Sequence, residues 1–303
     1  MSGEEMASKA ITALELASNP TGIVDETLVR RSIEVAVAAG AVQLASLESL
    51  GTEDVRTKSS ARDLVSRVDL ECERLIVEAL RSAAPSFEIE AEEETCDERT
   101  GGPRWFVDPL DGTVNYVHGI PLFCVSLGLF DDHGSAFSVV HAPRLDETFV
   151  SARGRGAWCL TPSAEPRRLA VSPCKHLGEA VVATGFPYRR GELENSNLEN
   201  FGRVFFDVRG VRRLGSAALD LAFVAAGRID GFWELHLSPF DIAAGVGLVL
   251  EAGGEVTDLE GGDDWLRGGH LAAGPGAITK ALRERVSTDP ERRPRTLQKT
   301  ERP

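Results

Sequence analysis

The segment Trp105–Thr113 carries two aspartates in a pattern that fits metal and phosphate chemistry. Its residues are Trp-Phe-Val-Asp-Pro-Leu-Asp-Gly-Thr, so Asp108 and Asp111 stand in one bend made by a proline and a glycine. Mg²⁺ prefers oxygen ligands in a compact octahedron, and the two carboxylates with the Leu110 carbonyl offer such oxygens. Taken alone, the same pattern is equally typical of an ordinary turn.

The residues after this bend predict an anion site. Gly112 and Thr113 lead into Val114–His118, where we expect a helix to begin. The N-terminus of a helix presents free backbone N–H groups that suit a phosphate. The sequence therefore predicts a metal site and a phosphate site side by side, as phosphate-ester hydrolysis requires.

Four further acidic residues and one lysine have structural interpretations when each is taken alone. Glu92 and Glu93 lie in an acidic run typical of a solvated loop. Asp69 lies on an amphipathic helix, where a solvent-facing carboxylate is the usual interpretation. Asp241 begins an apolar helix, so a helix-capping role is the simple explanation. Lys58 is by default an exposed loop lysine.

Taken together, the acidic residues favour a shared site. Asp241 is the only charged residue between Glu234 and Glu251, and Asp108 and Asp111 also lie among apolar residues. A carboxylate in such surroundings requires a partner. Two carboxylates about 4 Å apart repel by about 4 kcal/mol at an effective dielectric near 20. Bound divalent cations would remove this repulsion and would also attract a phosphate.

The composition is that of a protein with a large core and an acidic surface. The 303 residues are 42% hydrophobic and 26% charged, which fits one large domain or two coupled domains. The net charge of −14 argues against nonspecific nucleic-acid binding. No uninterrupted apolar run is as long as a membrane helix, and the N-terminus lacks a signal-peptide pattern. We therefore expect a cytoplasmic protein. Scattered cysteines predict neither a zinc site nor a disulfide framework.

The first half must position the paired aspartates. We expect residues 1–24 to form a variable or frayed extension, and residues 28–47 and 65–83 to form helices. Strand-like runs separated by turns come next and predict an antiparallel meander. These runs are Trp105–Asp108, Phe123–Phe130, Ala136–His141 and Thr148–Ala152.

The second half alternates strands and helices, which is typical of an α/β layer. The tail from Ser287 is rich in Pro, Arg and Thr and is predicted to be disordered. The predicted strands are Ala180–Thr184, Asp230–Glu234 and Glu255–Thr257, and the predicted helices are Ala217–Ala226 and Asp241–Ala252.

The chain resembles the inositol monophosphatase family of Mg²⁺-dependent, lithium-sensitive phosphatases. Trp105–Thr113 is similar to the first family signature and Trp233–Gly245 to the second. Shorter matching segments fall in the expected order, over roughly residues 30 to 275. These segments are Lys58–Ser60, Asp63–Val65, Asp69, Glu92–Glu93, Gly154–Ala157 and Gly215–Ala218.

The resemblance implies a fold and a domain division. It implies an α/β sandwich of five layers, α-β-α-β-α, which usually forms a homodimer. The predicted division is an extension over residues 1–27, a catalytic domain over 28–286 and a disordered tail over 287–303. The catalytic domain would have an N-terminal half over 28–178 and a C-terminal half over 179–286.

The resemblance also implies which residues hold Mg²⁺. The first ion would be held by Glu92, Asp108 and the Leu110 carbonyl, beside the attacking water. The second would be held by Asp108, Asp111 and Asp241, facing the leaving ester oxygen, so Asp111 and Asp241 also count as substrate-binding. A third, looser ion would contact Glu92.

Further roles come from the same resemblance. Thr113 and Asp69 would orient or deprotonate the water, with Glu92 and Glu93 behind it. The backbone N–H groups of Gly112 and Thr113 would hold phosphate oxygens. Glu234 and Ala217 would meet hydroxyls of the alcohol, and Lys58 would balance charge near the metals.

The sequence departs from the family pattern at two places. Ala91 replaces the glycine that often precedes the paired glutamates, and Glu94 extends the acidic run. The direct metal ligand is therefore either Glu92 or Glu93. Phe240 replaces the tryptophan that is common before the last aspartate, which is a mild change of packing.

Two classes of function remain open at this point. The first is hydrolysis of inositol monophosphate, or of histidinol phosphate, a sugar bisphosphate or a 3′-phosphonucleotide. The paired arginines at 189–190 and 212–213 would grip a second anion or be surface charge, and surface charge is favoured. The second class is a non-catalytic binding or regulatory protein on this fold. The predicted partner is a small phosphorylated alcohol, with no nucleic acid and no membrane.

Overall fold

The computed structural model describes residues 1–15, 22–47, 55–57, 64–188 and 191–289 of the chain. No helix among them is both long and apolar enough to cross a membrane. Of the predicted disordered tail, residues 287–289 are described and residues 290–303 lie outside the described part.

Helices and strands occur throughout the described chain. The helices are α1 (Gly3–Ala13), α2 (Glu26–Leu47), α3 (Arg67–Ala83), α4 (Thr113–Val117), α5 (Leu198–Phe205), α6 (Ala217–Ala225), α7 (Pro239–Glu251), α8 (Trp265–Gly268) and α9 (Gly276–Arg283). The strands are β1 (Val55–Thr57), β2 (Leu64–Ser66), β3 (Glu88–Ala91), β4 (Arg104–Asp111), β5 (Cys124–Asp131), β6 (Gly134–Ala142), β7 (Glu147–Ala152), β8 (Gly156–Thr161), β9 (Ala164–Arg168), β10 (Val181–Thr184), β11 (Gly210–Arg212), β12 (Gly231–Glu234), β13 (Glu255–Thr257) and β14 (Leu271–Gly274).

Two large sheets organise the described residues. The first has the strand order β3-β4-β5-β6-β7-β8-β9, with β3 parallel to β4 and every later pair antiparallel. This arrangement confirms the predicted meander. The second sheet has the order β11-β10-β12-β14-β13, and β10 runs parallel to both neighbours. It confirms that the second half forms an α/β layer.

The sheets and helices stack as α-β-α-β-α, which confirms the predicted layered sandwich. Helices α2 and α3 cover the outer face of the first sheet. Helices α6 and α7 lie between the two sheets, and α9 covers the outer face of the second. Because α7 packs between sheets, its buried residues surround the helix axis rather than forming one stripe.

Residues 3–13 correct the prediction of a frayed N-terminus. They form α1, which begins with a capping box in which Ser2 N donates to Glu5 Oε2 (3.0 Å) and Glu5 N donates to Ser2 Oγ (3.3 Å). Met6, Ala10 and Ile11 are buried, and the helix packs on α2. The acidic composition hid a short apolar stripe with helical spacing.

Glycines allow α7 to approach the first sheet closely. A Cβ on Gly128 of β5 would lie 2.7 Å from Ala243 Cβ and 2.8 Å from Ala244 N on α7. A Cβ on Gly245 would lie 2.5 Å from Leu221 Cβ on α6. These contacts bring the first turn of α7, with Asp241, down to the strands that carry the paired aspartates.

We expect Gly128→Ala to lower the free energy of unfolding by about 1–3 kcal/mol, because the added methyl has no room against the α7 backbone. Denaturant unfolding measures this change. Gly202→Ala is the control, since a Cβ on that α5 glycine meets nothing within 4 Å. Its effect should be neutral or stabilising by up to about 1 kcal/mol. Equal stability of Gly128→Ala and the parent protein would contradict this packing.

Candidate active site

The paired aspartates lie in a turn at the end of β4. The pairing of β4 with β5 shifts register between Asp108 and Asp111, and both side chains are buried. Gly112 comes next with φ of +98°, and a Cβ there would lie 2.9 Å from Leu122 O, so this position requires glycine. Helix α4 begins at Thr113, so the predicted bend and helix are both confirmed.

Backbone and hydroxyl donors hold both aspartates. Leu110 N donates to Asp108 Oδ1 (2.9 Å). Ser216 Oγ (2.6 Å) and Ala218 N (2.7 Å) donate to Asp111 Oδ2, at the start of α6. Asp111 therefore connects the turn of the first sheet to the middle helical layer. These bonds use one oxygen of each carboxylate.

Asp241 is the third residue of α7 and closes a capping box at its start. Ser238 N donates to Asp241 Oδ2 (2.6 Å), and Pro239 is the first helical residue. The capping interpretation is confirmed, and the same side chain also borders the cavity described below.

Asp69 is buried, which corrects its interpretation as a solvent-facing helix residue. Its Oδ2 accepts from Ser66 N (2.9 Å) and from the Ser66 hydroxyl, at the start of α3. Its Oδ1 accepts from Thr113 Oγ1 (3.0 Å). The structure therefore joins Asp69 and Thr113, which the resemblance had assigned to one role, although they are far apart in the sequence.

The acidic run after β3 forms a turn whose backbone N–H groups donate to a buried side chain, which corrects its interpretation as a solvated loop. Glu73, a buried residue of α3, accepts from the backbone N–H of Glu93 (2.8 Å), Glu94 (2.9 Å) and Thr95 (2.8 Å). Sequence reasoning missed Glu73. The available signal was a glutamate four residues after Asp69, on the helix face that is otherwise apolar.

The acidic residues share a cavity of about 280 Å³ between the two halves of the chain. Helix starts, the β12 end and the loops after β10 and β11 supply its walls. Its lining residues are Glu92, Asp111, Phe186, Pro187, Tyr188, Arg213, Gly215, Ala217, Glu234, His236, Leu237, Ser238, Phe240 and Asp241. Glu92, rather than Glu93, is the glutamate of the acidic run that lines it.

Asp108 is buried and does not line this cavity, but its carboxylate interacts with three carboxylates that do. Burial raises the pKa of Asp108 well above its usual range, and the charges of Glu92, Asp111 and Asp241 raise it further. Burial also raises the pKa of Asp241 well above its usual range, followed by the charges of Glu92 and Asp111. These four carboxylates therefore interact, as the sequence predicted.

Glu234 and Arg213 also line the cavity, and their charges interact. Burial raises the pKa of Glu234 to about 7, while the charge of Arg213 lowers it. Arg212 and Arg213 are both exposed, as the surface-charge interpretation predicts. Arg213 also lines the cavity, whereas Arg212 donates to Val211 O (3.1 Å).

The donor set suits a hard cation. The carboxylate groups of Glu92, Asp108, Asp111 and Asp241 and the Leu110 carbonyl offer only oxygen atoms, which Mg²⁺ prefers. Among the described residues, no group of three or more His, Cys, Asp or Glu side chains is arranged as a metal site. The donor chemistry of the carboxylates, rather than a complete ligand arrangement, therefore points to Mg²⁺.

Some predicted residues fall outside the described part of the chain. These are Lys58, Asp63, Arg189 and Arg190. All five cysteines are described and all are free, so the prediction of no disulfide framework is confirmed.

Comparisons with known proteins agree with this geometry. The model of the inositol monophosphatase family matches residues 25–291. The chain is 42% identical to the Nus factor SuhB of Pseudomonas aeruginosa, over 83% of this chain and 92% of that protein. It is 44% identical to the inositol-1-monophosphatase of Rhizobium meliloti, over 73% and 82%. The crystal structure of the extragenic suppressor protein suhB from Bartonella henselae is similar, with a TM-score of 0.76, 38% identity and coverage of 85% and 97%.

The raised pKa values predict how the stability of the metal-free protein depends on pH. The pKa of Asp111 rises from 3.8 to about 6, chiefly through burial, and that of Glu234 from 4.5 to about 7. Their stabilisation is complete below the unfolded pKa values and is lost as pH rises through the folded ones. Hydrogen bonds from Thr100 lower the pKa of Glu88 to about 2, so its opposite contribution is complete above about 4.5. We expect Tm to fall between pH 5 and 8.

Scanning calorimetry measures this fall in Tm, with a chelator present to keep the protein free of metal. Each kcal/mol of lost unfolding free energy lowers Tm by about 2–4 °C in a large domain. Added Mg²⁺ should restore Tm at pH 8, because it binds the ionised carboxylates. Asp108→Asn keeps an oxygen for the Leu110 N–H and removes one charge. It should raise the metal-free Tm at pH 8 and reduce the Mg²⁺ effect. A Tm that responds to neither pH nor Mg²⁺ would refute the predicted crowding of charge.

Proposed function

Because the chain belongs to the inositol monophosphatase family, we propose that it hydrolyses phosphate monoesters of small alcohols with the help of Mg²⁺. The observation that carries this proposal is the convergence of Glu92, Asp111 and Asp241 on one cavity, with all three close enough to interact with the buried Asp108. So many carboxylates require positive charge from bound ions, and such ions attract a phosphate.

We propose the ligand roles that the resemblance to the family implies. Glu92, Asp108 and the Leu110 carbonyl would hold one Mg²⁺, and Asp108, Asp111 and Asp241 a second, with a looser third ion near Glu92. When bound, Mg²⁺ lowers the pKa of water and neutralises charge on the phosphate and the leaving oxygen. The backbone bonds to Asp108, Asp111 and Asp241 fix these carboxylates before any ion binds.

Thr113 and Asp69 would move the proton of the attacking water. The Thr113 hydroxyl is within reach of Asp69 Oδ1 (3.0 Å) and Leu110 O (3.1 Å), and the carboxylate is the stronger acceptor. Donation to Asp69 leaves a lone pair on Thr113 Oγ1 for the water proton. As water attacks phosphorus, Oγ1 takes that proton and passes its own to Asp69. Burial raises the pKa of Asp69, which favours proton acceptance.

The alcohol would occupy the end of the cavity opposite the metal ligands. The N–H groups of Gly112 and Thr113 would hold phosphate oxygens, while Glu234, Ala217 and Arg213 would meet the alcohol. A cavity of about 280 Å³ suits a small polyol rather than a macromolecule. We propose inositol monophosphate as the first substrate to test, supported by the inositol-1-monophosphatase of Rhizobium meliloti.

The comparison with the Pseudomonas aeruginosa protein supports a second candidate function. That relative is named as a Nus factor. We therefore also propose a protein-binding role that does not require catalysis. An Asp108→Asn variant that lacks turnover but keeps such binding would support this role.

A homodimer in the cytoplasm completes the proposal. Resemblance to the family supports the dimer, and light scattering of the purified full chain tests it. A monomer at all concentrations would contradict this part of the proposal alone.

We expect Thr113→Ala to lower kcat by about 10²-fold or more, because the water loses its proton acceptor. Thr113→Ser keeps the hydroxyl and should retain most of the turnover. Phosphate release at saturating Mg²⁺ measures both. The proposed relay would be wrong if alanine and serine gave the same kcat.

A panel of phosphate esters tests the alcohol end. We expect Glu234→Gln to raise KM for inositol monophosphate about tenfold, because a carboxylate accepts hydroxyl hydrogen bonds more strongly than an amide. With p-nitrophenyl phosphate, which lacks those hydroxyls, KM should change little. Histidinol phosphate, fructose bisphosphate and a 3′-phosphonucleotide complete the panel. If the parent protein hydrolysed one of these esters faster than inositol monophosphate, that ester would become the proposed substrate.

A further inference from the structure

Glu73 makes an unusual set of contacts beside the cavity. Its carboxylate is 2% exposed and uses both oxygens. Oε2 accepts from Glu93 N (2.8 Å), and Oε1 accepts from Glu94 N (2.9 Å) and Thr95 N (2.8 Å). Three successive backbone N–H groups thus point at one buried side chain. These residues come directly after Glu92, which lines the cavity.

The turn that Glu73 holds is one that charge repulsion would open. It carries Glu92, Glu93 and Glu94 in sequence and lies near the aspartates of the cavity. Ala91 N donates to Thr95 O (2.7 Å) across the turn, and Glu92 N donates to Val107 O (3.1 Å) on β4. These backbone bonds leave the N–H groups of Glu93, Glu94 and Thr95 to the Glu73 carboxylate. A negative charge at Glu73 adds to the repulsion among these carboxylates, so charge balance does not explain why a glutamate occupies this position. Its two acceptor oxygens explain it, because they satisfy N–H groups that face the protein interior.

Helix α3 gives this contact a direct connection to the rest of the site. Asp69 and Glu73 stand four residues apart and so lie on one face of the helix. Asp69 holds Thr113 of the β4–α4 turn, and Glu73 holds the turn after β3. One helix therefore contacts both turns, in addition to the pairing of β3 with β4 that places Glu92 N 3.1 Å from Val107 O.

We propose that Glu73 is a positioning residue that holds Glu92 in place to bind the cation. The proposal rests on the function proposed above and goes beyond it by adding a residue that never contacts metal or substrate. Without Glu73, the turn gains freedom and Glu92 must be ordered when the cation binds. Cation affinity then falls, while chemistry at saturating cation is largely preserved.

Titration calorimetry of the full chain with Mg²⁺ tests this proposal without measuring turnover. Glu73→Gln keeps the shape of the side chain but replaces one acceptor oxygen by an NH₂ group. We expect about 10–100-fold weaker Mg²⁺ binding, the effect usual for groups that orient a metal ligand. The kcat at saturating Mg²⁺ should stay within about threefold of the parent value, a split that general destabilisation would not produce.

Glu71→Gln is the matched control, because Glu71 is exposed on the same helix. Its Mg²⁺ affinity should equal that of the parent protein. In a Glu92→Gln background, Glu73→Gln should add less than about a twofold change in affinity, because it acts through Glu92. If Glu73→Gln does not fold, Glu73→Asp gives the same comparison with a side chain one methylene shorter.

The outcomes separate this inference from the proposed function. Parent-like Mg²⁺ affinity in folded Glu73→Gln overturns the inference and leaves the phosphatase proposal intact. Equal losses in the Glu92 and Glu92→Gln backgrounds also overturn it. Absence of Mg²⁺ binding and phosphatase turnover in the parent protein instead overturns the proposed function.

Discussion

The structure depends on holding several carboxylates together in one buried cavity. Burial raises the pKa of Asp108, Asp111 and Asp241, and the charge of Glu92 raises the pKa of all three further. The fold opposes that repulsion with backbone N–H groups, which hold one oxygen of each aspartate. Such donors fix direction without cancelling the charge. The described carboxylates are therefore held in position with their mutual repulsion still present, and a bound divalent cation would relieve that repulsion.

This constraint explains why both halves of the chain are needed. The turn after β4 belongs to the first sheet. Asp241 belongs to helix α7 of the middle layer, and the Ala218 N–H that donates to Asp111 belongs to helix α6 of the same layer. The aspartates meet only if the middle helices approach the first sheet closely. Gly128 allows this close approach because it has no side chain where α7 contacts the sheet. Packing in the core and electrostatics in the cavity are thus parts of one arrangement.

The sequence was most informative where charge and surroundings conflict. Asp108, Asp111 and Asp241 stand among apolar residues, so their convergence could be predicted, as could the layered fold. Asp69 and Glu73 were harder, because an amphipathic helix has charged residues on its exposed face. Whether a given helix position faces water or a partner depends on elements distant in the sequence.

The same limit applies to short elements and to loops. Helix α1 was missed because its apolar stripe is short and its first turn is acidic. Arg212 and Arg213 are both exposed, and the sequence does not show that Arg213 also lines the cavity while Arg212 does not. The backbone path after β3 places Glu92, and not Glu93, in the lining of the cavity. No local sequence pattern encodes that path. In each case the deciding contact joins segments far apart in the chain.

Helix α3 and the two turns that it holds separate the chemistry from the choice of substrate. Asp69 and Glu73 fix Thr113 and Glu92, which lie in the N-terminal half. Glu234 and Arg213, at the proposed alcohol end, lie in the C-terminal half and make none of the hydrogen bonds that join Asp69 to Thr113 or Glu73 to the turn after β3. Substitutions at the alcohol end can therefore change which ester fits while the proposed metal ligands keep their positions. A family built in this way keeps one reaction and varies the alcohol, and a surface role can be added without disturbing either.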